Sequence, residues 1–407
     1  MQRIFIPTLL LTFLFPACSE QASGHLPAFE VFCEMVASDA KPLALHYPME
    51  AAEVEKYWED FRQVADQMGV LIYREDSFPG TALFPLETTA GKSVVIIYKG
   101  DRLTQYEQWK ADHEASDTAD PSVSKALARR LGRLLGYSPQ GINNLLMKNT
   151  DYRTFASFGV THQVTHLYYE EPEAALAFYE QTLGLPQIGK ARFQIGADAY
   201  IEIHTSDRDH PIDQPKSTAI ALLTDQLPGW YAHVQAENIP VKYTYKPRKG
   251  GPHDGFVAID PGGYLLEFEQ FKQHPENELF MAILDAAPRI STEVQNLNFY
   301  GSITWTYHKD LLAMQQFYEE VLGYRLVADQ GWTKIYQTSP TGFIGLVDER
   351  RGMQDYADQK AVEIEWGLLD EAGFVTYAGA FWKDLGYEDR RLKGPEGYRY
   401  IFRSNEK

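Results

Sequence analysis

Imidazole and carboxylate groups gather in three strand-like stretches of this chain: His162 and His166 in residues 160–169, Glu202 and His204 around Tyr200-Ile201-Glu202-Ile203, and Glu267 and Glu269 after the turn Asp260-Pro261-Gly262-Gly263. Side chains alternate along a strand, so His162, Val164 and His166 point to one face, and His204 shares a face with Glu202. Such groups, brought together in a cavity, hold a divalent cation or move protons. His253, in Gly250-Gly251-Pro252-His253, is a further polar candidate, on a loop.

The elements that must position these groups are repeated. Phe178-Tyr179-Glu180-Gln181-Thr182-Leu183-Gly184-Leu185 returns as Phe317-Tyr318-Glu319-Glu320-Val321-Leu322-Gly323-Tyr324, each time closing an amphipathic helix that follows a strand-like run. In the first copy Glu171-Pro172 opens the helix, Ala175, Leu176, Phe178, Tyr179 and Leu183 recur at helical spacing, and Gly184 stops it. The turn and strand from Asp260 to Phe268 are answered by Pro395-Glu396-Gly397-Tyr398-Arg399-Tyr400-Ile401-Phe402. Two similar units therefore stand in tandem.

This order, with its FY-x4-LG helix closure and DPxG-x3-E ending, resembles the vicinal oxygen chelate superfamily, which includes glyoxalases, extradiol dioxygenases, fosfomycin-resistance enzymes and bleomycin-binding proteins. The resemblance implies an α+β fold in which tandem βαβββ modules form two vicinal-oxygen-chelate domains, at 157–273 and, degenerate, at 297–405. A small α/β domain at 28–150 precedes them, and a covering linker at 274–296 separates them. In its metal-bearing members a divalent ion sits in the cup of the sheet, held from the first, fourth, fifth and eighth strands, and polarises vicinal oxygens of the substrate.

Carried onto this chain, the first-strand position falls at Val164, between His162 and His166, and the two acidic positions fall at Glu202 and Glu267. The fifth-strand position falls near Thr218 or Ala219, without a histidine. The resemblance thus implies a site of His162 or His166 with Glu202 and Glu267, suited to Mn, Fe, Ni or Zn, with Glu202 or Glu267 as ligand or base. In the second unit the corresponding positions are Ile303, Gly345 and Ile401. Glu363 and Glu365 there read as structural or solvent-facing, and Trp305, Trp332, Tyr336 and Trp366 as a wall that binds a molecule or packs.

Two functions follow for the first unit: metal-assisted lyase, isomerase or dioxygenase chemistry on a small molecule, or metal-free small-molecule sequestration. A third is a cell-surface scaffold. With 407 residues, a formal charge of -18 and no long basic run, the chain is not a nucleic-acid binder. Lys246-Pro247-Arg248-Lys249 reads as a solvated face.

The amino terminus reads as a signal peptide, residues 1–17: Arg3, an apolar core from Ile4 to Phe15, then Phe15-Pro16-Ala17-Cys18. It resembles a lipoprotein signal, which implies lipidation at Cys18 and an exported protein of the outer membrane or periplasm, a setting that disfavours a glutathione-dependent glyoxalase. Cleavage after Ala22-Ser23-Gly24 is the alternative and also exports the chain. Cys33 reads as a buried small hydrophobe, with no disulfide framework. Thr88-Thr89-Ala90-Gly91-Lys92-Ser93 is no phosphate loop, since Leu86 stands where its first glycine is needed.

Overall fold

The computed structural model describes residues 24–84, 86–118, 121–146, 153–294, 296–379 and 387–404. The signal peptide and Cys18 lie outside them. The chain divides into a first unit that ends at Asn149 and a second that runs from Thr150.

In the first unit the strands β1 (Leu43–Leu45), β2 (Leu71–Glu75) and β3 (Val94–Tyr98) form an antiparallel sheet with β3 in the centre. Its apolar core takes Phe29, Cys33 and Val36 from the helix His25–Ala37 and Val54, Phe61 and Ala65 from the helix Ala51–Met68. Cys33 is buried and free, and burial, followed by the nearby charge of Glu30, pushes its thiol up to about 12. A thiol so held is not a nucleophile. Thr81–Phe84 is a turn in which the Thr81 hydroxyl accepts from the N–H groups of Leu83 and Phe84.

The second unit contains four strand modules. Module A holds β4 (Val160–Tyr169), β5 (Arg192–Gln194) and β6 (Ala199–Thr205); module B holds β7 (Thr218–Leu223), β8 (Val241–Tyr243), β9 (His253–Ile259) and β10 (Leu265–Phe271). A short hairpin of β11 (Ile290–Ser291) and β12 (Asn298–Phe299) leads to module C, with β13 (Gly301–His308), β14 (Arg325–Asp329), β15 (Thr333–Gln337) and β16 (Gly342–Asp348). Module D holds β17 (Val362–Leu368), β18 (Tyr387–Glu388), β19 (Arg391–Lys393) and β20 (Arg399–Ser404).

The repeats do not close on themselves. A and D form one sheet, in the order β18-β19-β20-β17-β4-β6-β5, and B and C form the other, β14-β15-β16-β13-β7-β10-β9-β8. Antiparallel pairs join the modules: β4 with β17, where His166 faces Glu363 and Val164 faces Glu365, and β7 with β13, where Ala219 faces Trp305. Each sheet therefore draws one half from each sequence repeat.

Both FY-x4-LG phrases form the same structure, a π-helical turn at Phe178–Thr182 and at Phe317–Val321. The N–H of Leu183 donates to the Phe178 carbonyl and that of Leu322 to the Phe317 carbonyl. Gly184 follows at φ +61°, and a Cβ there would lie 2.9 Å from the backbone nitrogen of Glu293, so glycine is required twice over. The turn echo is also structural. The Tyr264 hydroxyl accepts from Tyr168 N–H at 2.9 Å and donates to the Ala361 carbonyl at 2.6 Å, tying the end of β4 to the entry of β17. Tyr398 does the same for the other sheet, accepting from Tyr307 N–H at 2.7 Å and donating to the Ser217 carbonyl at 2.5 Å.

The large core lies behind the strands and includes Leu167, Ile201, Trp230, Phe268, Tyr336 and Trp366. The linker helix Glu278–Ala286 inserts Phe280 and Leu284 into a second cluster with Ile303, Trp305 and Phe343, on the open side of the B–C sheet. Opposite each apolar strand face is a cup.

Candidate functional site

In the A–D cup the alternation of β4 buries Leu167 and Tyr169 in the core and leaves His162, Val164 and His166 on the other face. Parallel pairing of β4 with β6 puts His166 beside Glu202 and Tyr168 beside His204. His166 Nδ1 lies 2.8 Å from His204 Nε2, which lies 3.4 Å from Glu202 Oε1. One donor atom each from His166, Glu202 and His204 falls within 4.8 Å of the others, and these three form a candidate metal-binding group among the described residues.

From module D, Glu365 reaches within 3.5 Å of His166 Nε2 and 4.0 Å of His162 Nε2. His162 lies flat across Gly367, where a Cβ would come within 2.3 Å of its ring. Arginines frame the acids: Arg192 contacts Glu202 Oε2 at 2.6 Å and Glu365 at 3.7 Å, and the Arg403 guanidinium donates to Glu365. Glu363 lies 3.3 Å from His210 Nε2 and 3.6 Å from both Arg391 and Arg399. His210 in turn stacks on Tyr168 with centroids 3.6 Å apart.

Electrostatics follow from these neighbours. Burial alone would raise Glu363 and Glu365, yet the hydrogen bond and charge of His210 for the first, and of His166 and then Arg403 for the second, bring both down to about 2. Burial lowers His162, reinforced by Arg192, and burial followed by the charge of His166 lowers His204. Neutral imidazoles are the form that binds a cation or accepts a proton.

The expected site is thus split. His162, His166 and Glu202 share the A–D cup, whereas Glu267 projects from β10 into the B–C cup, because module B pairs with C and not with A. Glu363 and Glu365, read as structural or solvent-facing, are 3% and 2% exposed and face the histidines. The Thr218–Ala219 position belongs to the B–C sheet, so its missing histidine has no bearing on the A–D cup. His204 was seen in the sequence only as a neighbour of Glu202. Its role comes from the β4–β6 register.

Tyr336 and Trp366 are core residues, the first donating to Glu319 and the second to Gln163. Trp305 and Trp332 line the B–C cup with His253, Glu267, Glu269 and Tyr307. Trp305 lies flat on Gly345, where a Cβ would come within 2.0 Å of the indole, so the glycine at that family position shapes an aromatic wall.

Residues 160–268 match the glyoxalase/bleomycin resistance protein/dioxygenase superfamily. No curated protein matches the chain. Among solved structures it is similar to glyoxalase I from Zea mays, at 13% identity over 60% of this chain and 91% of that one, with a TM-score of 0.41. A lactoylglutathione lyase from Agrobacterium tumefaciens is 22% identical over 26% of this chain and 90% of that one, with a TM-score of 0.21. A superfamily protein from Alicyclobacillus acidocaldarius is 23% identical over 26% and 89%, with a TM-score of 0.21. The matched segment spans modules A and B, which enter different sheets.

The A–D donors suit a divalent ion: two imidazoles, a carboxylate and a second carboxylate at their edge. His166 Nδ1 and His204 Nε2 lie 2.8 Å apart, within hydrogen-bond distance, and a cation held by both would take the place of that hydrogen bond.

Proposed function

We propose that the A–D cup binds a small molecule through a divalent cation held by His166, Glu202 and His204, and that glyoxalase- or dioxygenase-like lyase, isomerase or ring-opening chemistry takes place there. The observation that carries this reading is the convergence of those three donors within 4.8 Å on one sheet face. The cation supplies electrophilic polarisation of adjacent substrate oxygens. Around it, Arg192 and Arg403 orient the carboxylates of Glu202 and Glu365, and His162, kept neutral by burial, is the candidate proton acceptor.

A metal-free binding cup is the second reading, favoured by the double contact of Arg192 with Glu202, which occupies one carboxylate oxygen. Cobalt(II) titration followed by visible absorption separates the two. The metal reading expects a saturable band that disappears in His166→Ala and Glu202→Ala. A colourless wild-type protein, or bands unchanged in both variants, contradicts it.

Export with lipidation at Cys18 is part of the proposal and rests on the order of charged, apolar and small residues through Cys18. No helix among the described residues is long and apolar enough to cross a membrane. Metabolic labelling with a palmitate analogue tests it: label lost in Cys18→Ser supports the anchor, and an unlabelled parent chain refutes it.

A further inference from the structure

The B–C cup holds a different kind of site. A cavity of about 170 Å³ is walled by Trp305, Tyr307, Trp332 and Phe271 and floored by Glu267 and Glu269. A wider cleft of about 540 Å³ shares His253, Glu267 and Glu269 with it and opens past Lys242, Lys246 and Arg248. A hydrophobic cavity of about 150 Å³ takes one benzene ring, so the inner space suits a single aromatic ring.

Several polar groups lining that space have buried atoms without partners: besides His253 Nδ1, Tyr307 Oη, Gln330 Nε2 and Thr333 Oγ1, they include a donor and an acceptor that face an aromatic ligand. Trp305 is 6% exposed and its Nε1–H donates to nothing; Glu269 is 5% exposed and its Oε2 is unbonded. An unpaired buried donor or acceptor costs about 1–3 kcal/mol, and both groups line the cavity, where a ligand would satisfy them. The same cup keeps only Glu267 of the superfamily's metal positions, with Ala219, Ile303 and Gly345 at the others.

Charge selects the ligand. Among the described residues no lysine or arginine forms an ion pair with Glu267 or Glu269, and burial raises both carboxyls, Glu267 to about 8. The floor thus offers the unbonded Glu269 Oε2 as an acceptor for a ligand hydroxyl, beside the unbonded Trp305 donor. The entrance carries Lys242, Lys246 and Arg248, and the Arg351 guanidinium lies 4.6 Å over Trp332. Asp254 at the mouth is engaged by Lys272 at 2.5 Å. On a chain of net charge -18, this local cluster of cations at the entrance favours a ligand whose anionic end lies there.

We propose that the B–C cup binds a flat, single-ring aromatic anion, with its ring against Trp305 and Trp332, its anionic group toward Lys246 and Arg248, and an opposite hydroxyl or carbonyl meeting Trp305 Nε1 and the Glu269 carboxyl. This site is separate from the A–D cup and does not depend on its metal.

Isothermal titration of the full chain with 4-hydroxybenzoate, and with benzamidine as its cationic counterpart, tests the proposal. The expected result is saturable binding of 4-hydroxybenzoate at least about tenfold tighter than benzamidine. It weakens about tenfold in Trp305→Phe, which keeps the ring and removes the donor, and in the exposed pair Lys246→Ala with Arg248→Ala, and it is unchanged in His166→Ala. No saturable binding, tighter binding of benzamidine, or loss in His166→Ala with no effect of the B–C substitutions overturns it.

Discussion

Glu363 and Glu365 are buried beside histidines and arginines, and their folded pKa values of about 2 lie below the ordinary range near 4.5. A carboxylate held below its unfolded pKa stabilises the fold above that value and loses the contribution as pH falls. The window runs from about pH 5 down to about pH 2, with on the order of 2 kcal/mol at stake per group. Urea midpoints should fall between pH 6 and pH 3, and fall less in Glu365→Gln. Glu267 has the opposite sign: its folded pKa is raised to about 8, so stability present below about pH 4 is lost as pH rises. Glu267→Gln should therefore be more resistant to urea than the parent at pH 8.5 and equal to it at pH 4. A variant that is weaker at pH 8.5 would mean that Glu267 is charged and paired.

The duplicated sequence phrases become duplicated devices at the level of elements. Tyr264 and Tyr398 each bridge two backbone groups of neighbouring modules, so Tyr264→Phe leaves the Tyr168 N–H and the Ala361 carbonyl without that partner. Each Tyr→Phe change should cost about 1–3 kcal/mol in chemical denaturation, and an unchanged midpoint would show that the hydroxyls are dispensable. These elements were legible in the sequence because they are local: helical spacing up to Leu183, Gly184 as a stop, and Gly262–Gly263 as a turn. The helix His25–Ala37 was not, because its residues adjoin an apolar targeting-like segment.

Module pairing decides which residues meet across the whole molecule, and pairing is a long-range property that periodicity does not encode. Face chemistry explains the outcome. β17 presents Glu363 and Glu365, and β4 offers them histidines, whereas β7 would offer Ala219 and Ala221. Buried acids facing alanines would be unpaired charges, so A joins D and the apolar strands β7 and β13 join each other. His162, His166 and Glu202 are legible in the sequence because they lie on neighbouring strands of one module, whereas the separation of Glu267 from them and the approach of Glu363 and Glu365 depend on which modules pair. Since each sheet needs both repeats, fragments 157–273 and 297–405 made separately should lack dispersed amide spectra and gain them on mixing. Independent folding of either fragment would contradict the A–D and B–C pairing.

Whether the A–D cup holds a cation is decided by the metal content of the purified protein, compared with three single variants. About one transition-metal ion per chain is expected after incubation with Mn, Fe, Ni or Zn. That ion should be lost in His166→Ala and Glu202→Ala and retained in Glu267→Ala, whose carboxyl belongs to the other cup. A chain that takes up no metal, or one that loses it only in Glu267→Ala, would rule out a cation held by His166, Glu202 and His204.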